Sequence, residues 1–241
     1  MRVGSLQRWW YAACQFLCEL GVLLLFRYRV WGRGKVPGRG GALLVSNHQS
    51  FFDPVLVAVG LPRQVHYLAR ESLFRYAPFR WLIRSLNAFP VRREGVDLGA
   101  LRKAVAWLER GELVLVFPEG TRTADGGIRP LRRGVGLLAR QAEVPVVPVV
   151  IDGAFEAWPR HRLWPRPGRV GVIFGEPVGW EAFSGVGGRA ATERLLERLR
   201  ALQVELRERR LGLSAAGGRE APRGRGGRSE PAEPLARRAQ G

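Results

Sequence analysis

The chain predicts an α/β fold: a mixed, largely parallel sheet flanked by helices, with an N-terminal membrane-associating helical segment. Three observations lead there. Apolar runs of strand length alternate with runs whose apolar residues recur at helical spacing. The strand-like runs are short and continuously apolar, as at residues 113–117 (LVLVF). An apolar stretch at residues 9–26 (WWYAACQFLCELGVLLLF) precedes all of them.

That first stretch is close to the lower length limit for crossing a bilayer. Trp9, Trp10 and Tyr11 stand at one end, and Arg27, Tyr28, Arg29 and Trp31 at the other. Aromatic and basic edging of this kind suits a membrane interface. No small-residue cleavage site follows, which argues against a signal peptide. Glu19 would be costly at mid-bilayer, so a helix lying in one leaflet competes with a true span.

Residues 32–41 (GRGKVPGRGG) form a Gly-rich connector. A buried strand is expected at 42–45, then a turn, then an apolar helix or strand at 54–59 ending at Gly60. Strand character returns at 65–69, helix at 79–86, and strand at 88–91. Leu98, Leu101, Val105 and Leu108 fall at helical spacing, with Gly111 as the stop. A strand at 113–117 and a helix at 135–142 follow. Residues 146–151 are strand-like, although Pro148 argues for an edge or bulge position. A strand at 170–174 precedes an amphipathic helix at 192–211, with Leu195, Leu199, Leu202 and Leu206 in register. The organisation is therefore a membrane-associating segment at 1–31, a catalytic-sized domain at 32–211, and a tail at 212–241. The tail is rich in Arg, Gly and Ala with almost no large apolar residue, a composition expected to be disordered.

Charge narrows the function. The 39 Lys+Arg against 21 Asp+Glu give +18, and nearly all the basic residues are Arg. The tail from Gly212 holds six Arg and three Glu, so +15 belongs to residues 1–211. Such a field favours an anionic partner: a phosphate, a nucleic acid or an anionic membrane surface. Cys14 and Cys18 are the only cysteines. They offer neither a disulfide framework nor a metal set, and are expected to be packing residues.

Four local signals occur in order: His48…Asp53 in Asn47-His48-Gln49-Ser50-Phe51-Phe52-Asp53; Phe89-Pro90-Val91-Arg92-Arg93; Phe117-Pro118-Glu119-Gly120-Thr121-Arg122; and Val144-Pro145-Val146-Val147-Pro148-Val149. The first three follow apolar strands. Ligands of open α/β sheets bind at the carboxyl ends of strands, so parallel strands would converge these turns on one cleft. An imidazole oriented by a carboxylate is a general base at neutral pH. Arg93 and Arg122 are phosphate-binding candidates, because a guanidinium pairs bidentately with phosphate oxygens. Gly120 would let backbone amides approach an anion. A base beside guanidinium groups suits a substrate bearing both a hydroxyl and a phosphate. Ser50 reads as a turn or capping residue, and Asp53, with Pro54 after it, also has the character of a helix N-cap. No G-x-S-x-G elbow is present, which disfavours a serine hydrolase. His66 and His161 read as structural.

The four signals together resemble the glycerolphosphate acyltransferase family, in particular its 1-acyl-glycerol-3-phosphate acyltransferases. Asn47, His48, Ser50 and Asp53 match its first motif; Phe89 and Arg93 resemble the second; residues 117–122 and 144–149 match the third and fourth. The resemblance spans roughly residues 30–180. It implies that His48 deprotonates the free hydroxyl of lysophosphatidic acid while Asp53 orients and stabilises the imidazole. Arg93, Glu119, Gly120, Thr121 and Arg122 would hold the glycerol phosphate, with Asn47 and Ser50 in support. The acyl donor would be acyl-CoA or acyl-carrier protein, the product phosphatidic acid, and no metal or cofactor would be needed. The implied location is the cytoplasmic face of the cell membrane. Two departures raise positive charge: Arg92 where relatives often carry Asp, and Arg132-Arg133 where they often carry Lys. Glu119 is left between binding substrate and holding Arg122, and Arg132 and Arg133 between substrate contact and a solvated basic face. Other lyso-acceptors, including lysophospholipids and lyso-ornithine lipid, stay open. From a different class, a nucleic-acid-binding protein competes through the charge and the RGG-like residues 223–228, although no recognition fold is evident.

Overall fold

The computed structural model describes residues 5–92, 97–132, 134–184 and 188–212. A seven-stranded sheet runs in the order β1 (Arg29–Trp31), β7 (Gly171–Phe174), β6 (Val146–Asp152), β2 (Ala42–Ser46), β5 (Leu113–Val116), β3 (Val65–Arg70) and β4 (Ala88–Val91). β6, β2, β5, β3 and β4 are mutually parallel; β7 is antiparallel to β6 and carries β1 parallel to itself. The expected mixed, largely parallel sheet is therefore present. Every residue of β2, β5 and β6 is buried, because helices cover both faces.

One face packs under α4 (Leu98–Glu109), α5 (Gly134–Ala142) and α7 (Gly188–Leu211), through Ala104, Leu108, Leu138, Ala139, Leu195 and Leu199. The opposite face packs under α2 (Asp53–Val59) and the end of α1 (Ser5–Leu25), through Leu56, Val57, Val22 and Phe26. The two faces come from alternate residues of the same strands: Leu43 and Val45 point into the first cluster, Ala42 and Leu44 into the second. The ambiguous run at 54–59 is thus helical. Pro54 suits the first turn, where its missing N–H breaks no bond. α3 (Ala77–Ser85) and the four-residue α6 (Ala154–Ala157) complete the layers.

Two sequence expectations change. Residues 29–31, grouped with the N-terminal segment, form the edge strand β1 against β7. Pro148 is not on an edge strand, since β6 lies between β2 and β7, but it does sit at a bulge: the pairing shifts by one residue between Val149–Phe174 and Val146–Val178. Its carbonyl accepts the Gly175 N–H at 2.8 Å, so its ring nitrogen also faces β7, just beyond where that ladder begins at Val149–Phe174. The missing donor therefore costs the β2 ladder nothing. A side chain on Gly175 would meet the Pro148 ring and Leu202, which explains glycine there.

α1 presents one face to the domain. Gln15 donates to the carbonyls of Ala58 and Leu61, at 3.0 and 2.8 Å, tying α1 to the turn that ends α2. The Tyr11 hydroxyl accepts the Val65 amide. Trp10 donates to Ser85 on α3 and packs against Trp81. The other face leaves Trp9, Phe16, Leu17, Leu20 and Leu24 exposed. Among the described residues no helix is long and apolar enough to cross a membrane, so the spanning alternative for residues 9–26 finds no support. Of the tail, only Gly212 lies among the described residues; the RGG-like segment lies outside them.

Candidate active site

β6, β2 and β5 are neighbours; β2 and β5 end level, with Val45 opposite Val116, while β6 continues past Val149, the partner of Ser46, to Asp152. The chain leaving β2 therefore meets the chain leaving β5 on one flank and the end of β6 on the other. This topology brings the His48 turn and the Glu119 turn together.

The turn after β2 is held by its own side chains. Asn47 donates Nδ2 to the Ile151 carbonyl (2.9 Å) and accepts the Ile151 amide on Oδ1 (2.8 Å), matching a backbone edge of β6. Gln49 donates to the Gly126 carbonyl and accepts the Phe155 amide. Ser50 donates its hydroxyl to the Trp158 carbonyl at 2.8 Å and accepts the Phe52 amide, the turn role expected of it. Asn47, Gln49 and Ser50 are all buried, so each bond also removes the cost of an unpaired polar group.

Within this frame His48 Nδ1 lies 2.8 Å from Asp53 Oδ2. The same oxygen accepts the amides of Gln49 (2.5 Å) and Ser50 (2.8 Å). Asp53 is the first residue of α2, yet its carboxylate turns back onto the preceding loop rather than capping the helix amides. The N-cap reading is thus replaced by a loop-organising one. Two backbone amides and the imidazole thus converge on one carboxylate oxygen. An ionised Asp53 accepts from Nδ1–H, which leaves the lone pair on Nε2. No hydrogen bond occupies Nε2 among the described residues. The ring stacks on Phe117, centroids 4.3 Å apart, and its side chain is 18% exposed, so one edge stays open to a ligand.

The turn after β5 bonds directly to His48. Glu119 Oε1 accepts the His48 amide (2.9 Å), Oε2 accepts the Arg129 amide (3.1 Å), and the Thr123 amide donates to the His48 carbonyl (2.8 Å). Glu119 is buried; that burial pushes its carboxyl above the ordinary value, with the amides of Arg129 and His48 opposing. Of the two sequence alternatives for Glu119, the hold on Arg122 is not what these contacts show. Both of its oxygens are used on backbone amides, and it makes no bond to Arg122. It fixes the His48 backbone.

Gly120 has φ +70°, the left-handed region, and a Cβ there would stand 2.6 Å from the Arg132 guanidinium carbon. Arg132 therefore lies across the glycine turn, stationed by its own amide on the Pro118 carbonyl at 3.1 Å. Thr121 and Arg122 are half-buried, and Arg122 makes no hydrogen bond or ion pair among the described residues. The turn that bonds to the His48 backbone thus carries Arg122, with Arg132 lying across it. Arg93 and Arg133 lie outside the described residues. Arg92 is described; its amide donates to Asp97, the N-cap of α4.

Several supports escaped the sequence reading. The Gly126 carbonyl accepts from Gln49, and from Gln203 and Arg207 of α7. Asp152, buried at the end of β6, receives Arg207 at 2.9 Å and Arg210 at 2.8 Å. α7 is thereby bound to the site from behind. Only Gln49, inside the first motif, had a signal in the sequence.

Comparisons with known proteins identify the family. The Acyltransferase family model matches residues 27–152, which hold the turns after β2 and β5. A 1-acyl-sn-glycerol-3-phosphate acyltransferase of Bacillus subtilis is 30% identical over 194 residues, 78% of this chain and 94% of that protein. Another, from Pseudomonas aeruginosa, is 31% identical over 185 residues, 75% of this chain and 69% of that protein. The crystal structure of the 1-acyl-sn-glycerophosphate (LPA) acyltransferase PlsC of Thermotoga maritima superposes with TM-score 0.70 at 30% identity, covering 82% of this chain and 81% of that one. With the fold, the motif turns and these relatives in agreement, the chain belongs to the acyltransferase family.

Proposed function

We propose that this protein moves a fatty acyl group from an acyl thioester, acyl-CoA or acyl-carrier protein, onto the free hydroxyl of 1-acyl-glycerol-3-phosphate, giving phosphatidic acid. The observation that carries the reading is the bonding of the His48 backbone to the glutamate turn on both its amide and its carbonyl. It holds a general base a fixed distance from a turn bearing Arg122 and Arg132, so one acceptor with a hydroxyl and a phosphate can engage both. The names of the relatives support the acceptor.

In this reading His48 Nε2 accepts the hydroxyl proton as the oxygen attacks the thioester carbonyl. Asp53 stabilises the imidazolium that forms. As the tetrahedral adduct collapses, the carbon–sulfur bond breaks and the proton on His48 passes to the departing thiolate. The substrate oxygen is the nucleophile, so no acyl-enzyme intermediate is required. Arg122 and Arg132 hold the phosphate, with Arg93 as a further candidate. The protein would work at the cytoplasmic surface of the cell membrane, resting on the exposed apolar face of α1.

The test is purified protein with labelled acyl-CoA or acyl-carrier protein and a panel of lyso-acceptors, followed by identification of the product lipid. His48→Ala should lower the rate by about 10²–10⁴, the usual contribution of a positioned base, with an unchanged circular dichroism spectrum. Parental activity in His48→Ala removes the base assignment. Preference for lyso-ornithine lipid or a lysophospholipid replaces the acceptor.

A further inference from the structure

A surface beside the active site is used by nothing described so far. Between Glu156 and Glu176 the chain carries no carboxylate but four arginines, at 160, 162, 166 and 169. At the tip of this loop, Leu163 is 86% exposed and Trp164 79% exposed, the former the most exposed large apolar side chain among the described residues. A solvated loop has no reason to place a leucine and a tryptophan side by side at its tip, and tryptophan flanked by arginine is favoured where water meets lipid headgroups.

The base of the loop is fastened. The Arg166 amide donates to the Ala157 carbonyl (2.8 Å), and Trp158 Nε1 donates to the Arg162 carbonyl (3.1 Å). Gly168 pairs with Phe26, its carbonyl accepting the Arg27 amide at 2.8 Å. The loop therefore leaves the domain directly beside the C-terminal end of α1, where Leu24 is 76% exposed. It also adjoins the catalytic turn: Trp158 packs against Phe51 and Phe52, and its carbonyl holds Ser50.

We propose that residues 160–169 form a second membrane contact, seating Leu163 and Trp164 among the lipids of an anionic surface while the arginines engage its headgroups. This rests on the reading that α1 lies on a membrane. It adds an anchor next to the catalytic turn, so the site entrance is held against the lipid from which the acceptor comes. A single helix fixes one line on a surface; a second point fixes the tilt.

The test is flotation of the full chain with vesicles of phosphatidylcholine alone and of phosphatidylcholine mixed with phosphatidylglycerol. Leu163→Ser/Trp164→Ser should partition at least about tenfold more weakly into both, from the loss of apolar burial. Arg160→Gln/Arg166→Gln should lose about tenfold or more on anionic vesicles and little on neutral ones. Each variant should retain parental turnover of detergent-dispersed acceptor, which shows an intact fold and site. Parental flotation of both variants overturns the second contact and leaves the α1 reading standing. Failure of the parent to float removes the α1 reading and this inference with it. Unchanged flotation with selective loss of activity on an acyl-carrier-protein donor overturns the lipid assignment in favour of an acidic protein partner.

Discussion

Replacing Asp53 by Asn isolates the electrostatic part of the His48–Asp53 pair. The side chain is fully buried, and one oxygen gathers His48 Nδ1 and the amides of Gln49 and Ser50, at 2.8, 2.5 and 2.8 Å. An Asn carbonyl can occupy that position and accept the same three bonds, so the loop geometry is kept. What disappears is the negative charge facing the imidazolium of the proposed proton transfer. At an effective dielectric of about 20 and a charge separation of about 4 Å, that attraction is about 4 kcal/mol, or roughly 10³ in kcat. A second cost falls on stability. The other carboxylate oxygen is buried without a partner, and the Asn NH₂ that replaces it would be a buried donor, costing about 1–3 kcal/mol where no acceptor meets it. Steady-state kinetics with each substrate varied in turn, together with urea denaturation, separates the two. The expected result is a kcat lowered by about 10³ with both KM values nearly unchanged, in a protein that is less stable but folded. A folded Asp53→Asn protein with kcat within tenfold of the parent would refute the pairing, as would a loss carried entirely by KM.

Other substitutions probe the surroundings. Arg122→Ala should raise the KM for the phosphorylated acceptor about 10–100-fold, the value of charge-assisted hydrogen bonds, and leave the donor KM nearly unchanged; equal effects on both remove the phosphate role. Asp152→Ala strands Arg207 and Arg210 against the sheet and should cost about 3 kcal/mol in urea denaturation, the low end for breaking a buried pair because Arg207 is half-exposed. His66 stacks on Trp107 with a buried, unpartnered Nδ1, and burial followed by Lys103 pushes its imidazole down to about 4. The folded protein therefore resists protonation that the unfolded chain accepts below its ordinary value near 6.5. Stability is full above that pH and falls as the pH drops towards 4, by at most about 3 kcal/mol. His66→Phe should flatten the acid limb of a stability–pH curve; an unchanged limb refutes it.

Sequence alone determined the parts that are local in origin. Continuous apolar runs marked β2, β5 and β6, since strands covered on both faces have no need of alternation. Helical spacing marked α4 and α7. His48 and Asp53 stand five residues apart, and the glycine turn at 120 is contained in six residues, so both could be read from short stretches. The tertiary structure decided everything that depends on which strands are neighbours. Arg29–Trp31 is a strand only because β7 offers it an edge, and Pro148 is tolerated inside the sheet only because its nitrogen faces the end of that same strand. Glu119 was read in sequence as a partner for substrate or for Arg122, whereas its oxygens bind the amides of His48 and Arg129. That exchange exists because β2 and β5, 71 residues apart at the His48–Glu119 contact, run side by side and end level. The chain order supplied an imidazole and a basic turn; parallel pairing of β2 with β5 brought them together, because only adjacent strand ends bring distant backbone amides within hydrogen-bonding reach.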